Sequence, residues 1–131
     1  MMPTAMDATT VSVRYIVDDV AAAVAFYTTH LGFSLDASTP VFAAVMKDGL
    51  KLLLSGHRSA GGKPTSDGRA QSAGGWNRIM LTVTDLAAEM ARLRAAGVRF
   101  RGDMVTGPAG SLVVLDDPSG NPIELFQPAA H

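Results

Sequence analysis

No cysteine occurs in the 131 residues, which excludes disulfides, thiolate metal sites and a cysteine nucleophile. Histidine is scarce, with three copies: His30 near the end of an expected helix, His57 in a glycine-rich stretch, and His131 at the last position. An excess of one charge is also missing. Eleven lysines and arginines against twelve acids leave a formal net charge of −1, so there is no electrostatic footprint for nucleic acid or an anionic membrane surface. No apolar run approaches the roughly 20 residues that a membrane-spanning helix needs. The opening "MMPTAMDATT" has no basic start followed by an apolar core, so it does not read as a secretory signal. Residues 1–10 are expected to be a disordered leader, and a cytoplasmic location is the default expectation.

What the chain does have is apolar mass. At 47% hydrophobic residues it is no disordered polymer, and its length suits one domain, over 11–128, with a substantial core. The chain also repeats itself. "VDDVAAAVAFY" (17–27) aligns with "VTDLAAEMARL" (83–93), Val17 with Val83, Asp19 with Asp85 and Val20 with Leu86. An internal match offset by about half the chain marks a duplicated supersecondary unit.

Each copy begins with an extended stretch, 11–17 or 77–83, that runs into an aspartate suited to cap a helix. Val20, Val24, Tyr27 and Leu31 follow at helical spacing, as do Leu86, Met90 and Leu93, and both stripes should pack on a sheet. Gly32 and Gly97 stand where a left-handed helix stop is expected. "VFAAVMK" and "LKLLLS" flank Asp48-Gly49, a strong hairpin signal. "SLVVL" and "PIELF" flank Asp117-Pro118-Ser119-Gly120. The expected class is therefore α+β, two βαβββ modules over 11–55 and 76–128. A linker loop rich in Gly and Ser (56–75) joins them, and its Arg58, Lys63 and Arg69 are expected to be solvated.

Strand alternation then sorts the side chains by face. Leu50, Leu52, Leu54, Ile123 and Leu125 should meet the helices. The opposite face takes Ser12, Arg14, Phe42, Met46 and Leu53 from the first module and Trp76, Arg78, Met80, Glu124 and Phe126 from the second. Glu124 is the anomaly of this set. A buried carboxylate left unpaired costs roughly 3–5 kcal/mol, so it must serve as a metal ligand, a base or half of an ion pair. No G-x-S-x-G, phosphate-binding glycine loop or H-E-x-x-H is present to suggest other chemistry.

"YIVDDVAAAVAFYTTHLGF", "NRIMLTVTDLAAEMARLRAAGVRF" and "DDPSGNPIELFQP", in that order and duplicated, resemble the vicinal oxygen chelate superfamily over residues 11–128. That group includes glyoxalase I, extradiol dioxygenases, fosfomycin-resistance enzymes and bleomycin-binding resistance proteins. The resemblance implies paired modules forming a cup-shaped mixed sheet with helices outside, and a homodimer. It also implies a small-molecule ligand and, in the metal-using members, four inward ligands. Carried across, those four positions fall on Ser12, Leu53, Arg78 and Glu124. Serine is a poor ligand, leucine is none, and arginine offers no lone pair. No metal and no cofactor are therefore expected, and Arg78 is expected to pair with Glu124 through a bidentate contact.

Three roles for that pair stay open: a packing element, an anchor for an anionic or carbonyl oxygen, or a catalytic pair. In the last, Glu124 takes a proton while Arg78 stabilises the oxyanion. Trp76 could stack a planar ligand or simply fill space, Met80 could make a recess adaptable, and Arg14 would favour an anionic ligand. The functional expectation is a metal-independent small-molecule binder that sequesters a toxic or antibiotic compound. The alternatives are a glyoxalase-like lyase or isomerase using Glu124 as metal ligand or general base, and a protein-interaction subunit.

Overall fold

The computed structural model describes residues 11–130, and the chain divides after Ser72 into two compact units. The first contains β1 (Ser12–Ile16), α1 (Val20–His30), β2 (Ser34–Thr39), β3 (Phe42–Lys47) and β4 (Leu50–Ser55). The second contains β5 (Ile79–Thr82), α2 (Leu86–Ala95), β6 (Val105–Gly107), β7 (Gly110–Asp116) and β8 (Pro122–Pro128). The architecture is thus α+β, two βαβββ modules. Their sheets have the same topology, β1-β4-β3-β2 in one and β5-β8-β7-β6 in the other. In each, the opening strand runs parallel to the last strand, and the remaining pairs are antiparallel.

Local chemistry accounts for the element ends. Asp19 accepts from the Ala22 N–H at 3.0 Å and Asp85 from the Ala88 N–H at 3.0 Å, each satisfying an otherwise unpaired donor of the first helical turn. In α2 a second donor is also taken, because the Leu86 N–H donates to Gln127 Oε1 of β8 at 2.8 Å. At the β3–β4 hairpin Asp48 and Gly49 have φ of 47° and 85°, the two positive values that a tight type I′ turn requires.

Most helix-facing positions are enclosed as expected, but in β8 Pro122 and Glu124 of the other face are buried as well. Leu52, Leu54, Ile123 and Leu125 are almost fully enclosed on the helix-facing side, with Val45, Val113 and Leu115. From α2, Leu86, Met90 and Leu93 complete this core as the spacing predicts. In α1 the buried set is Val20, Ala23, Phe26 and Tyr27, while Val24 is only half-buried. Phe26 joins the core with its ring edge-on against Tyr27, centroids 5.1 Å apart, a favourable aromatic geometry.

The glycine-rich stretch does not run as an unstructured connection. Residues 56–72 fold back within the first unit: Ser59 Oγ donates to the Gly56 carbonyl at 2.7 Å and accepts from the Gly62 N–H at 3.1 Å. Gln71 Nε2 donates to the carbonyls of Gly61 (3.0 Å) and Lys63 (2.9 Å). A side chain at Gly61 would run into the Arg14 guanidinium, which explains a glycine there.

The two faces of β4 should differ sharply in energetic weight. Leu52→Ala, at a fully buried position, is expected to cost about 2–5 kcal/mol. Leu53→Ala, its half-buried neighbour on the other face, should cost less than about 1.5 kcal/mol. Urea denaturation of both variants checks this, and equal losses would contradict the assignment of faces.

Candidate functional site

The second unit carries the charged cluster, and a turn builds it. Asp117, almost fully buried, uses Oδ1 to accept from the backbone N–H of Ser119 (2.8 Å) and Asn121 (2.9 Å), while its Oδ2 accepts from Asn121 Nδ2 (3.0 Å). Gly120 closes the turn at φ 87°, a value open to glycine at little cost. Asn121 in turn accepts on Oδ1 from the Gly74 N–H at 3.0 Å, which ties the segment before β5 to the start of β8. The register that results sets Glu124 opposite Met80 on one side and Val114 on the other.

Glu124 is 9% exposed as a residue. Its Oε1 accepts from Arg78 Nε at 3.0 Å and lies 2.9 Å from Arg78 Nη2. The expected pairing is present, with a difference in detail: both guanidinium nitrogens converge on one oxygen instead of bridging two. Neither contact uses Oε2, and among the described residues no buried side-chain polar atom lacks a partner. Arg78 also donates from Nη1 to the Trp76 carbonyl at 3.2 Å. Because β5 begins at Ile79, Trp76 and Arg78 stand just ahead of the strand and not within it. Strand parity therefore does not set their directions; these hydrogen bonds do.

A second arginine–carboxylate pair adjoins the first. Arg101 Nε donates to Asp116 Oδ1 at 2.6 Å, Nη1 to the Gly75 carbonyl at 2.7 Å and Nη2 to the Gly120 carbonyl at 3.0 Å. Its Cζ lies 4.7 Å from the centroid of the Trp76 ring, within cation–π range. Sequence reasoning passed over Arg101 and Asp116. Arg101 lies in irregular chain after α2, where no periodicity marks it. The Asp-Pro-Ser-Gly turn was visible, but not that an arginine would bind its carbonyl.

The remaining expected site residues divide by unit. Met80 and Phe126 share the Glu124 face of the second sheet, Met80 being 54% exposed and Phe126 half-buried. In the first unit Arg14 lies opposite Leu53 and Ser12 opposite Lys51, while Phe42 faces Ser55 across β3–β4. Arg14 Nη1 donates to Ser55 Oγ at 2.8 Å. Thus Arg78 contacts both Glu124 and the backbone carbonyl of Trp76, with Met80 and Phe126 on the Glu124 face. Ser12, Arg14, Phe42 and Leu53 line a separate face in the other unit. Of the four positions onto which the family resemblance carries metal ligands, Glu124 alone is a carboxylate or imidazole, and its Oε1 already receives a guanidinium. Among the described residues no three His, Asp or Glu side chains gather as a metal-holding group.

The whole chain, compared with known proteins, fits one family. The model of the Glyoxalase/Bleomycin resistance protein/Dioxygenase superfamily matches residues 9–125. No curated protein sequence matches significantly. Among solved structures, the chain is similar to TnmS3, an antibiotic binding protein from Streptomyces sp. CB03234. The two share 26% identity, with 93% of this chain and 97% of that one covered and a TM-score of 0.69. It is also similar to a member of the same superfamily from Sphaerobacter thermophilus DSM 20745, with 27% identity, 93% and 98% coverage and a TM-score of 0.72. The fosfomycin resistance protein FosX from Listeria monocytogenes shares the fold at 14% identity, 93% and 94% coverage and a TM-score of 0.71.

The Arg78–Glu124 contact sets its own stability test. Arg78→Met leaves a nearly buried carboxylate with no guanidinium and should cost about 1–3 kcal/mol. Glu124→Gln, which removes the charge but keeps an acceptor, should cost less, and the double variant should recover part of the Arg78→Met loss. Urea midpoints of the four proteins decide it; strictly additive losses would mean that the two side chains do not interact.

Proposed function

The chain belongs to the Glyoxalase/Bleomycin resistance protein/Dioxygenase superfamily, and within it we propose a metal-independent small-molecule-binding protein that sequesters a toxic or antibiotic compound. The observation that carries this reading is the guanidinium of Arg78 at 3.0 Å from Glu124 Oε1. On this reading the guanidinium takes the place that the family resemblance gives to a metal ion, and it would repel a second cation. The donor set adds support. Ser12, Leu53 and Arg78 at the other three positions do not supply the several nitrogen or anionic oxygen ligands that a divalent ion requires.

The same group of side chains suits an organic ligand. Trp76 is 69% exposed and Met80 54%, large apolar surfaces that folding leaves uncovered and that a planar ligand would cover. Arg78 beside them supplies N–H groups for a carbonyl or anionic oxygen. The antibiotic-binding relative at 26% identity supports a binder over a catalyst, and on this reading the ligand is a compound to be held and not converted. The site functions as a homodimer in the cytoplasm on this proposal, as the family resemblance implies.

A second reading has one specific observation in its favour. Neither contact with Arg78 uses Oε2 of Glu124, which leaves that oxygen available to act as the general base of a lyase or isomerase.

Two measurements separate the readings. Protein purified without an affinity tag should contain only substoichiometric divalent metal by elemental analysis. Equilibrium dialysis with naphthalene-2-sulfonate should show saturable binding that a chelator leaves unchanged and that Trp76→Ala weakens about tenfold. A stoichiometric metal lost on Glu124→Gln would overturn the proposal. So would formation of S-lactoylglutathione from methylglyoxal and glutathione that Glu124→Gln abolishes while folding survives.

A further inference from the structure

We infer that Arg101 is the positioning and specificity-determining residue of this site, fixing the Trp76 indole and biasing its free face toward neutral or anionic planar rings over cationic ones. The inference rests on the small-molecule reading above and adds the charge class of the ligand.

The geometry of Arg101 is unusually complete. All three guanidinium nitrogens are engaged, Nε by Asp116, Nη1 by the Gly75 carbonyl and Nη2 by the Gly120 carbonyl. The side chain is 17% exposed and that of Asp116 16%. Such a planar fork cannot rotate without losing hydrogen bonds, so its plane is fixed. Trp76 follows directly in sequence from one of the anchored carbonyls, at Gly75, and packs one ring face against that plane with Cζ at 4.7 Å. Since the residue is still 69% exposed, its other ring face is open. Trp76 also hands the constraint on, because its carbonyl accepts from Arg78 Nη1, the arginine that holds Glu124. One residue therefore joins the two ion pairs, and Arg101 fixes that residue on both its backbone and its ring side.

The charge preference follows from ring electrostatics. An indole attracts cations through the negative faces of its π-system. Here one face already carries a guanidinium, ion-paired through Nε with Asp116, which draws electron density toward itself. A second cation stacking on the free face meets a weakened quadrupole. A neutral or anionic ring stacks without that penalty, and Arg78 nearby rewards an acidic substituent.

Three bicyclic probes of similar size test this by equilibrium dialysis: naphthalene-2-sulfonate, naphthalene-2-methanol and N-methylquinolinium. The wild-type protein should bind the first two at least about tenfold more tightly than the third. Arg101→Met, which keeps an unbranched apolar chain under the indole but removes its charge, should lose that ranking. Arg101→Lys keeps the charge but cannot span three acceptors. It should lose the indole band in near-ultraviolet circular dichroism, a clean reporter because the chain has one tryptophan, with far-ultraviolet signal unchanged. Should Arg101→Met fail to fold, the wild-type ranking still decides the charge preference and Arg101→Lys the positioning. An unchanged indole band in Arg101→Lys would overturn the positioning role. Equal or tighter binding of N-methylquinolinium by the wild type would overturn the charge preference while leaving the small-molecule reading intact. Binding of none of the three probes would overturn that reading and the preference with it.

Discussion

A carboxylate on the open face of a sheet needs a cation, and the contact between Arg78 and Glu124 is the constraint around which the second module is arranged. Glu124 cannot move away: β8 pairs with β5 on one side and β7 on the other, and its neighbours Ile123 and Leu125 are locked into the core on the opposite face. A shift of one residue would turn both of those into solvent and bury the acid among leucines. The guanidinium must therefore come to the carboxylate. It arrives from the three residues before β5, where the chain is free of the ladder and can be directed by hydrogen bonds to Trp76 and, through Gly74, to Asn121.

The duplicated module shows the same scaffold without this ion pair. Leu53 occupies in β4 the place that Glu124 holds in β8, each opposite the strand that opens its module, and Ser12 stands where the second copy has Arg78. That ion pair is thus confined to one copy; on the corresponding face of the other, Arg14 lies opposite Leu53 and donates to Ser55 Oγ. The helix-facing halves of the two copies stay alike, with Asp19 and Asp85 both capping and Leu52, Leu54, Ile123 and Leu125 all enclosed. Packing preserves one face; chemistry is free to differ on the other.

Most of the fold was legible without coordinates because its signals are short-range. Helix caps, the Asp48-Gly49 turn and the alternation in β4 and β8 each depend on a few adjacent residues. The pairing of Arg78 with Glu124 was expected from the family resemblance, which sets both side chains inward on neighbouring strands, although Arg78 stands just ahead of β5. Arg101 was not readable. It lies after α2 in chain with no period, and its three acceptors come from Asp116, Gly75 and Gly120, which local pattern does not connect. The same holds for the stretch 56–72, whose compactness depends on Gln71 reaching back to Gly61 and Lys63.

Sequence alone determined that this chain is two copies of a βαβββ unit and which face of each strand is core. Those properties follow from residue identity and periodicity, which the folding of neighbouring residues cannot alter; that positions 12, 53, 78 and 124 depart from a metal-binding set is what the family resemblance implies. Tertiary structure decided which atoms meet: that both nitrogens of Arg78 fall on one oxygen of Glu124, and that Arg101 sits beneath Trp76. Such contacts depend on where segments far apart in the chain come to rest to within an ångström, and that is fixed by packing of the whole module and not by any local stretch of it.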